Sequence, residues 1–327
     1  MSITNVTGIH PLLAVWLAHK EYSAPVGPKT ISVTTLLKPI RQIILSDRCK
    51  KEDPPVDVGT LIKAQIGFSL HLGIEHSWIS SNLKNTLLQL GYPQRTVDMV
   101  RINPEIPDED YLDIYFEVRN NVSFQGWTIS GQYDAVFEGE VCDNKSTSVY
   151  TYIKARKTDD YSLQGSMYRW LDSKQQYPVI SKDTMKINFI FTDYSAAMTK
   201  TPDYPAQQVY TQTIKLQPLG VTQSFISQKL DQLDAYWDAP ESSLPECSEE
   251  DLWRSEPVFK YYKNPAKKDR STKNFDTYQD AHQRLSEDGF VGEIVEVKGQ
   301  AKACLYCAGF AACTQKDKLI LEGSLAV

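Results

Sequence analysis

The 327-residue chain is 41% hydrophobic, enough for a substantial buried core, and its net charge of −6 argues against a uniformly basic nucleic-acid-binding surface, so contacts with a polyanion must come from local patches. The apolar run PLLAVWLA (11–18) is short, lacks a basic leader and is bounded by His10 and His19, which argues against a signal peptide or a spanning helix. A cytoplasmic protein with no membrane partner and no disulfides is expected.

After an N-terminal segment (1–30), ISVTTLLKPIRQIIL (31–45) opens with a short β-like stretch and continues as a helix. Residues 63–93, KAQIGFSLHLGIEHSWISSNLKNTLLQLGYP, read as one long helix closed by Gly91 and Pro93, with His71 and Glu75 one turn apart. YLDIYFEV (111–118) is a strand. GWTISGQYDAVF (126–137) alternates Trp127, Ile129, Tyr133 and Ala135 with smaller or polar neighbours, and Gly139 then turns the chain into EVCDNKS, predicting an antiparallel hairpin. On its second strand Asp143 and Lys145 share a face, while Asn144 points the other way and leaves its carbonyl available. ARKTDDYSLQGSMYRWLD (155–172) is an amphipathic helix that turns Leu163, Met167 and Trp170 inward and sets Gln164 and Tyr168 one turn apart. MKINFIFTDYS and QQVYTQTIKLQ are further strands, and residues 222–239 form a helix with Phe225, Leu230, Leu233 and Trp237 as its apolar stripe. The expected fold is α/β, a mixed central sheet flanked by helices.

Asp134, Asp143 and Lys145 would meet at one point of such a hairpin. Carboxylates are hard ligands for Mg²⁺ or Mn²⁺, and a nearby ammonium can orient a water beside a phosphodiester. An isolated D-x-K is more often a solvated hairpin face, and a lone helical histidine is more often structural, so the surrounding order of residues decides.

That order, Gly67-x3-His71-x3-Glu75, Gly131-x2-Asp134, Asp143-x-Lys145 and Gln164-x3-Tyr168, resembles the RecB-like branch of the PD-(D/E)XK nucleases. This branch includes the nuclease domains of bacterial recombination helicase-nucleases, the CRISPR-associated adaptation exonucleases and many stand-alone phage proteins. The resemblance spans about residues 30–320 and departs from the pattern only in Asp143, where glutamate is commoner. It implies a restriction-endonuclease-like core and a metal-dependent DNA exonuclease, phage-encoded, that processes DNA ends for recombination or replication. DNA, a recombination or replication protein and further copies of the chain would be its partners. His71, Asp134, Asp143 and the Asn144 carbonyl would hold Mg²⁺ or Mn²⁺, Lys145 would orient the attacking water, and Gln164 and Tyr168 would brace the site or touch DNA. The alternatives are a structure-specific endonuclease, or a catalytically idle module that binds DNA or protein.

Near the C terminus Cys304, Cys307 and Cys313 form C-x2-C-x5-C, too concentrated for incidental core thiols. Three thiolates leave a fourth position, for which Cys247 and Cys49 are candidates; P-E-C with a nearby tryptophan, as found here at Cys247 and Trp253, also occurs in phage members of the family, which favours Cys247. Four cysteines suit structural zinc, whereas the family spacing implies a 4Fe-4S cluster pinning the C-terminal extension to the core. The divisions expected are a nuclease core over 31–240 and this extension over 241–327. Two basic groups suggest DNA contacts: Lys154, Arg156 and Lys157 before the Gln164 helix, and Lys263, Lys267 and Lys268 within an aromatic-rich stretch (253–275).

Overall fold

A computed structural model describes residues 3–19, 25, 27–49, 55–154 and 157–327 as a mixed α/β protein. The chain divides into two compact units, Met1–Leu37 with Pro54–Leu230, and Lys38–Asp53 with Asp231–Val327. The C-terminal unit thus begins before residue 241 and takes in a segment from near the N terminus. Among the described residues no helix is long and apolar enough to cross a membrane.

The expected mixed sheet is present, and among the described residues three smaller sheets accompany it. The mixed sheet, in the first unit, has six strands in the order Val209–Lys215, Thr184–Phe191, Glu140–Thr147, Ala135–Phe137, Leu112–Phe116 and Val100–Ile102. Glu140–Thr147 and Thr184–Phe191 run parallel, a pairing that needs a crossover connection, and the helix Thr158–Asp172 lies within it. That helix buries Met167, Trp170 and Leu171. Its Gly165 allows a close crossing, because a Cβ there would stand 2.4 Å from Met185 Sδ.

The hairpin at Gly139 forms as expected. Glu138 and Gly139 adopt left-handed φ values of 50° and 73°, as a tight two-residue turn requires, and Phe137 pairs with Glu140. Residues 126–137, however, are not one strand. Trp127–Gln132 belongs to a separate three-stranded sheet with Arg119–Phe124 and Thr30–Ser32, and the chain enters the six-stranded sheet only at Ala135. The partner strand changes sheet at the same level, where Glu117 takes a left-handed φ of 53° between Leu112–Phe116 and Arg119–Phe124. Two backbone bonds tie the two steps together, Glu117 N–H to Asp134 O at 3.1 Å and Tyr133 N–H to Val118 O at 3.4 Å. Gly131 lets this bend pack tightly: a Cβ would come within 2.6 Å of Leu171 Cδ1 and 2.9 Å of Val33 Cγ2.

The long helix expected over 63–93 is also interrupted. Ile62–Ile79 stops at Ser80, whose backbone is extended and whose hydroxyl accepts the Asn82 N–H at 3.2 Å, a local turn that competes with the helical ladder. Leu83–Gln89 follows, and Gly91 ends it with φ 89°. The helix Leu219–Tyr236 buries Ile226, Leu230 and Leu233; Phe225 is only half-buried and Trp237 lies past the helix end, so the stripe is rotated from the expected one.

In the second unit, Val258–Tyr262 is the centre of a three-stranded antiparallel sheet between Lys273–Phe275 and Glu293–Val297. A distinct apolar cluster of Leu252, Ala301, Leu319 and Leu325 packs against Cys247, Cys304 and Phe310.

Candidate functional site

The bend in the first unit sets Glu117 beside Asp134, and the helix Ile62–Ile79 brings His71 onto both. His71 Nδ1 lies 3.4 Å from Asp134 Oδ2 and 4.0 Å from Glu117 Oε1. Donor atoms of His71, Glu117 and Asp134 all fall within 4.8 Å of one another, the one such group of three among the described residues. Gly67 explains how the helix comes so close, since a Cβ there would meet Ser146 Oγ at 3.2 Å.

The hairpin strand completes the site. Asn144 N–H donates to Asp134 Oδ2 at 2.7 Å, and its carbonyl accepts from His71 Nε2 at 3.0 Å. Its side-chain Oδ1 turns to the neighbouring strand and accepts from Asn188 at 3.0 Å. His71 therefore meets a carbonyl with one nitrogen and a carboxylate with the other, an arrangement that suits the imidazolium. The bond to Asp134 raises its pKa, against the opposing effect of burial. Loading a metal onto this ring would release a proton.

Asp143 is 2% exposed, and Lys145 Nζ lies 2.6 Å from its Oδ2. The contact is a charge-assisted pairing of a buried carboxylate with the neighbouring ammonium. Burial pushes Asp143 up to about 6, with Lys145 pulling downward and Asp134 adding to the rise. Burial works against the Lys145 ammonium, but Asp143 and Asp134 outweigh it and hold its pKa above the ordinary value. The Lys145 ammonium also sits 5.8 Å from the centre of the Tyr161 ring.

His71, Asp134 and the Asn144 backbone are thus gathered and Glu117 is added to them, while Asp143, paired with Lys145, is outside the three-residue cluster and interacts with Asp134 and His71 through its charge. Burial and the Asp134 charge raise the Glu117 pKa, and Gln132 Nε2 donates to its Oε2 at 2.7 Å. Glu75 interacts electrostatically with Glu117 but is outside the three-residue cluster. Gln164 and Tyr168 are both buried and bonded to each other, Nε2 to OH at 2.9 Å.

In the second unit Cys247, Cys304, Cys307 and Cys313 line one cavity with Arg41 and Gln315. Cys49 is buried and close enough to Cys307 to interact electrostatically, but it does not line the cavity. Burial pushes the Cys247 thiol up to about 12 and raises Cys304 and Cys307 as well. Gly309 brings the cysteine run against the helix Ile40–Arg48, where a Cβ would stand 2.6 Å from Leu45 Cβ. Gln315 clasps Cys247, accepting its N–H and donating to its carbonyl, each at 2.9 Å.

Of the basic groups, Lys263 pairs with Asp288 at 3.3 Å and Lys268 with Glu293 at 2.6 Å, while Lys267 is exposed. Lys157 precedes the Thr158–Asp172 helix; Arg156 and the side chain of Lys154 lie outside the described residues.

No protein-family model matches the chain, and no curated protein matches it. Among solved structures it is similar to one described as "Crystal structure of SSO0001", at 15% identity and a TM-score of 0.38, over 64% of this chain and 78% of that one. A likeness this slight bears on neither family nor chemistry.

Proposed function

We propose that the first unit is a metal-dependent deoxyribonuclease of the PD-(D/E)XK type, acting on DNA ends. The observation that carries this reading is the placement of the Asp143–Lys145 ion pair on the strand whose next backbone group, Asn144, is bonded to both His71 and Asp134. One imidazole, carboxylates and a carbonyl form a donor set suited to Mn²⁺ or Mg²⁺, and His71, Glu117 and Asp134 offer their donor atoms within 4.8 Å of one another. A divalent ion there would supply charge stabilisation for phosphoryl oxygens and a more acidic water.

The protein's own groups divide the remaining work. His71 yields its proton, and Asp134 and Glu117 turn their carboxylates toward the ring. Lys145, anchored by Asp143 yet 28% exposed along its side chain, can present an ammonium proton to a water or to a phosphate oxygen. Gln164 and Tyr168 stiffen the helix behind the strand. For the second unit, we infer a four-cysteine centre formed with Cys247. The four cysteines line one cavity, and the C-x2-C-x5-C spacing, through the family resemblance, supports a 4Fe-4S cluster over zinc.

The test is cleavage of end-labelled linear and closed circular DNA with Mn²⁺ or Mg²⁺, with Lys145→Ala as control. Metal-dependent loss of linear DNA alone, absent in the variant, is expected. Nicking of circles would replace the exonuclease with an endonuclease, and an active Lys145→Ala protein would overturn the site.

A further inference from the structure

The helix Ile40–Arg48 holds a cation against the cysteine cavity, where a thiolate from Cys49 was the alternative expectation. Arg41 is 3% exposed, and its Nη1 lies 3.8 Å from Cys313 Sγ. The rest of the guanidinium is fixed from the other side. Nε donates to Pro245 O at 3.1 Å, and Nη2 donates to Leu244 O at 2.8 Å and Glu241 O at 3.3 Å. Nη1 also meets the Glu241 carboxylate, which accepts the N–H of Thr314, the residue after Cys313, at 3.0 Å.

A guanidinium is costly to bury unless its charge and its donors are all answered. Here the backbone carbonyls answer the donors, and the charge is shared between one carboxylate and one sulfur. Lys316, the other cation lining the cavity, has its ammonium 2.5 Å from Asp317 Oδ1. Arg41 is therefore the cavity-lining cation bonded to sulfur, while Arg254 and Lys38 act on Cys304 and Cys307 through their charge.

We propose that Arg41 is the positioning residue of the cysteine centre: it hydrogen-bonds the Cys313 thiolate and offsets the negative charge that four thiolates bring to a buried cavity. The inference rests on the four-cysteine reading above. Outer hydrogen bonds of this kind fix a ligand's orientation and slow its departure from the metal. The centre would thus be built from both pieces of the second unit, the cysteines from one and the balancing charge from the other.

The experiment uses the full chain, purified anaerobically, with its iron and zinc content measured and their release to a chelator followed over time. Arg41→Gln should lose metal about tenfold to a hundredfold faster than the native protein. Arg41→Lys, which keeps the charge, should recover most of that loss. Glu241→Gln keeps an acceptor for Thr314 but frees the cation from its carboxylate, and should release metal no faster than the native protein. Native release rates in Arg41→Gln would overturn the proposal, as would Arg41→Lys and Glu241→Gln proteins as leaky as Arg41→Gln, because packing alone would then explain the effect. A native chain carrying neither iron nor zinc would instead remove the cysteine centre itself, and the role of Arg41 with it.

Discussion

Asp143 offers a prediction whose size follows from its surroundings. Burial lifts its pKa from the ordinary 3.8 to about 6 in the folded protein. The folded state therefore holds this proton more tightly than the unfolded chain does. The resulting stabilisation is complete below about pH 3.8 and is lost as pH rises through about 6. Two pKa units correspond to about 3 kcal/mol in all, and roughly half of it falls between pH 5 and pH 7.5. Asp143→Asn cannot ionise, so the metal-free variant should lack this component. The Lys145 ion pair forms only as Asp143 ionises and is already contained in the folded pKa, so it belongs to this same component. Urea unfolding of both proteins in the presence of a chelator, at pH 5 and pH 7.5, should show the native protein losing roughly 1–2 kcal/mol more than the variant on going to the higher pH. Equal losses would refute the claim that Asp143 is a desolvated acid waiting for a cation.

Three further outcomes test the site around it. Glu117→Ala should raise the Mn²⁺ concentration for half-maximal DNA cleavage at least about tenfold, while Glu75→Ala shifts it far less; the reverse ranking would remove Glu117 from the metal set. Gly67→Ala sets a Cβ 3.2 Å from Ser146 Oγ, a contact that should cancel the roughly 1 kcal/mol that alanine gains over glycine inside a helix; thermal unfolding should show no gain for the single variant and a gain once Ser146→Ala is added. Tyr168→Phe leaves the buried Gln164 amide without its 2.9 Å partner and should cost about 1–3 kcal/mol of stability with DNA affinity unchanged. Weakened DNA binding at native stability would instead make Tyr168 a contact residue.

How much of the site can be read from residues alone depends on the distance over which each feature is determined. Asp143, Lys145 and the opposed Asn144 follow from strand alternation, a two-residue rule, and the turn at Gly139 from local backbone preference, so both were legible. Glu117 was not. Its approach to His71 depends on a left-handed glutamate, a residue type that does not advertise that conformation, and on a bend set by the packing of Gly131 against Leu171 and Val33. The same holds for Arg41, which reads as the polar position of an amphipathic helix until a carboxylate 200 residues away and a cysteine 272 residues away close around it. Composition likewise counts cations without their partners. Lys263 looks ready for phosphate in a basic stretch, yet it lies 3.3 Å from Asp288, 25 residues on. A phosphate would have to compete with that carboxylate, so the charge available to DNA depends on tertiary pairing that no window of sequence contains.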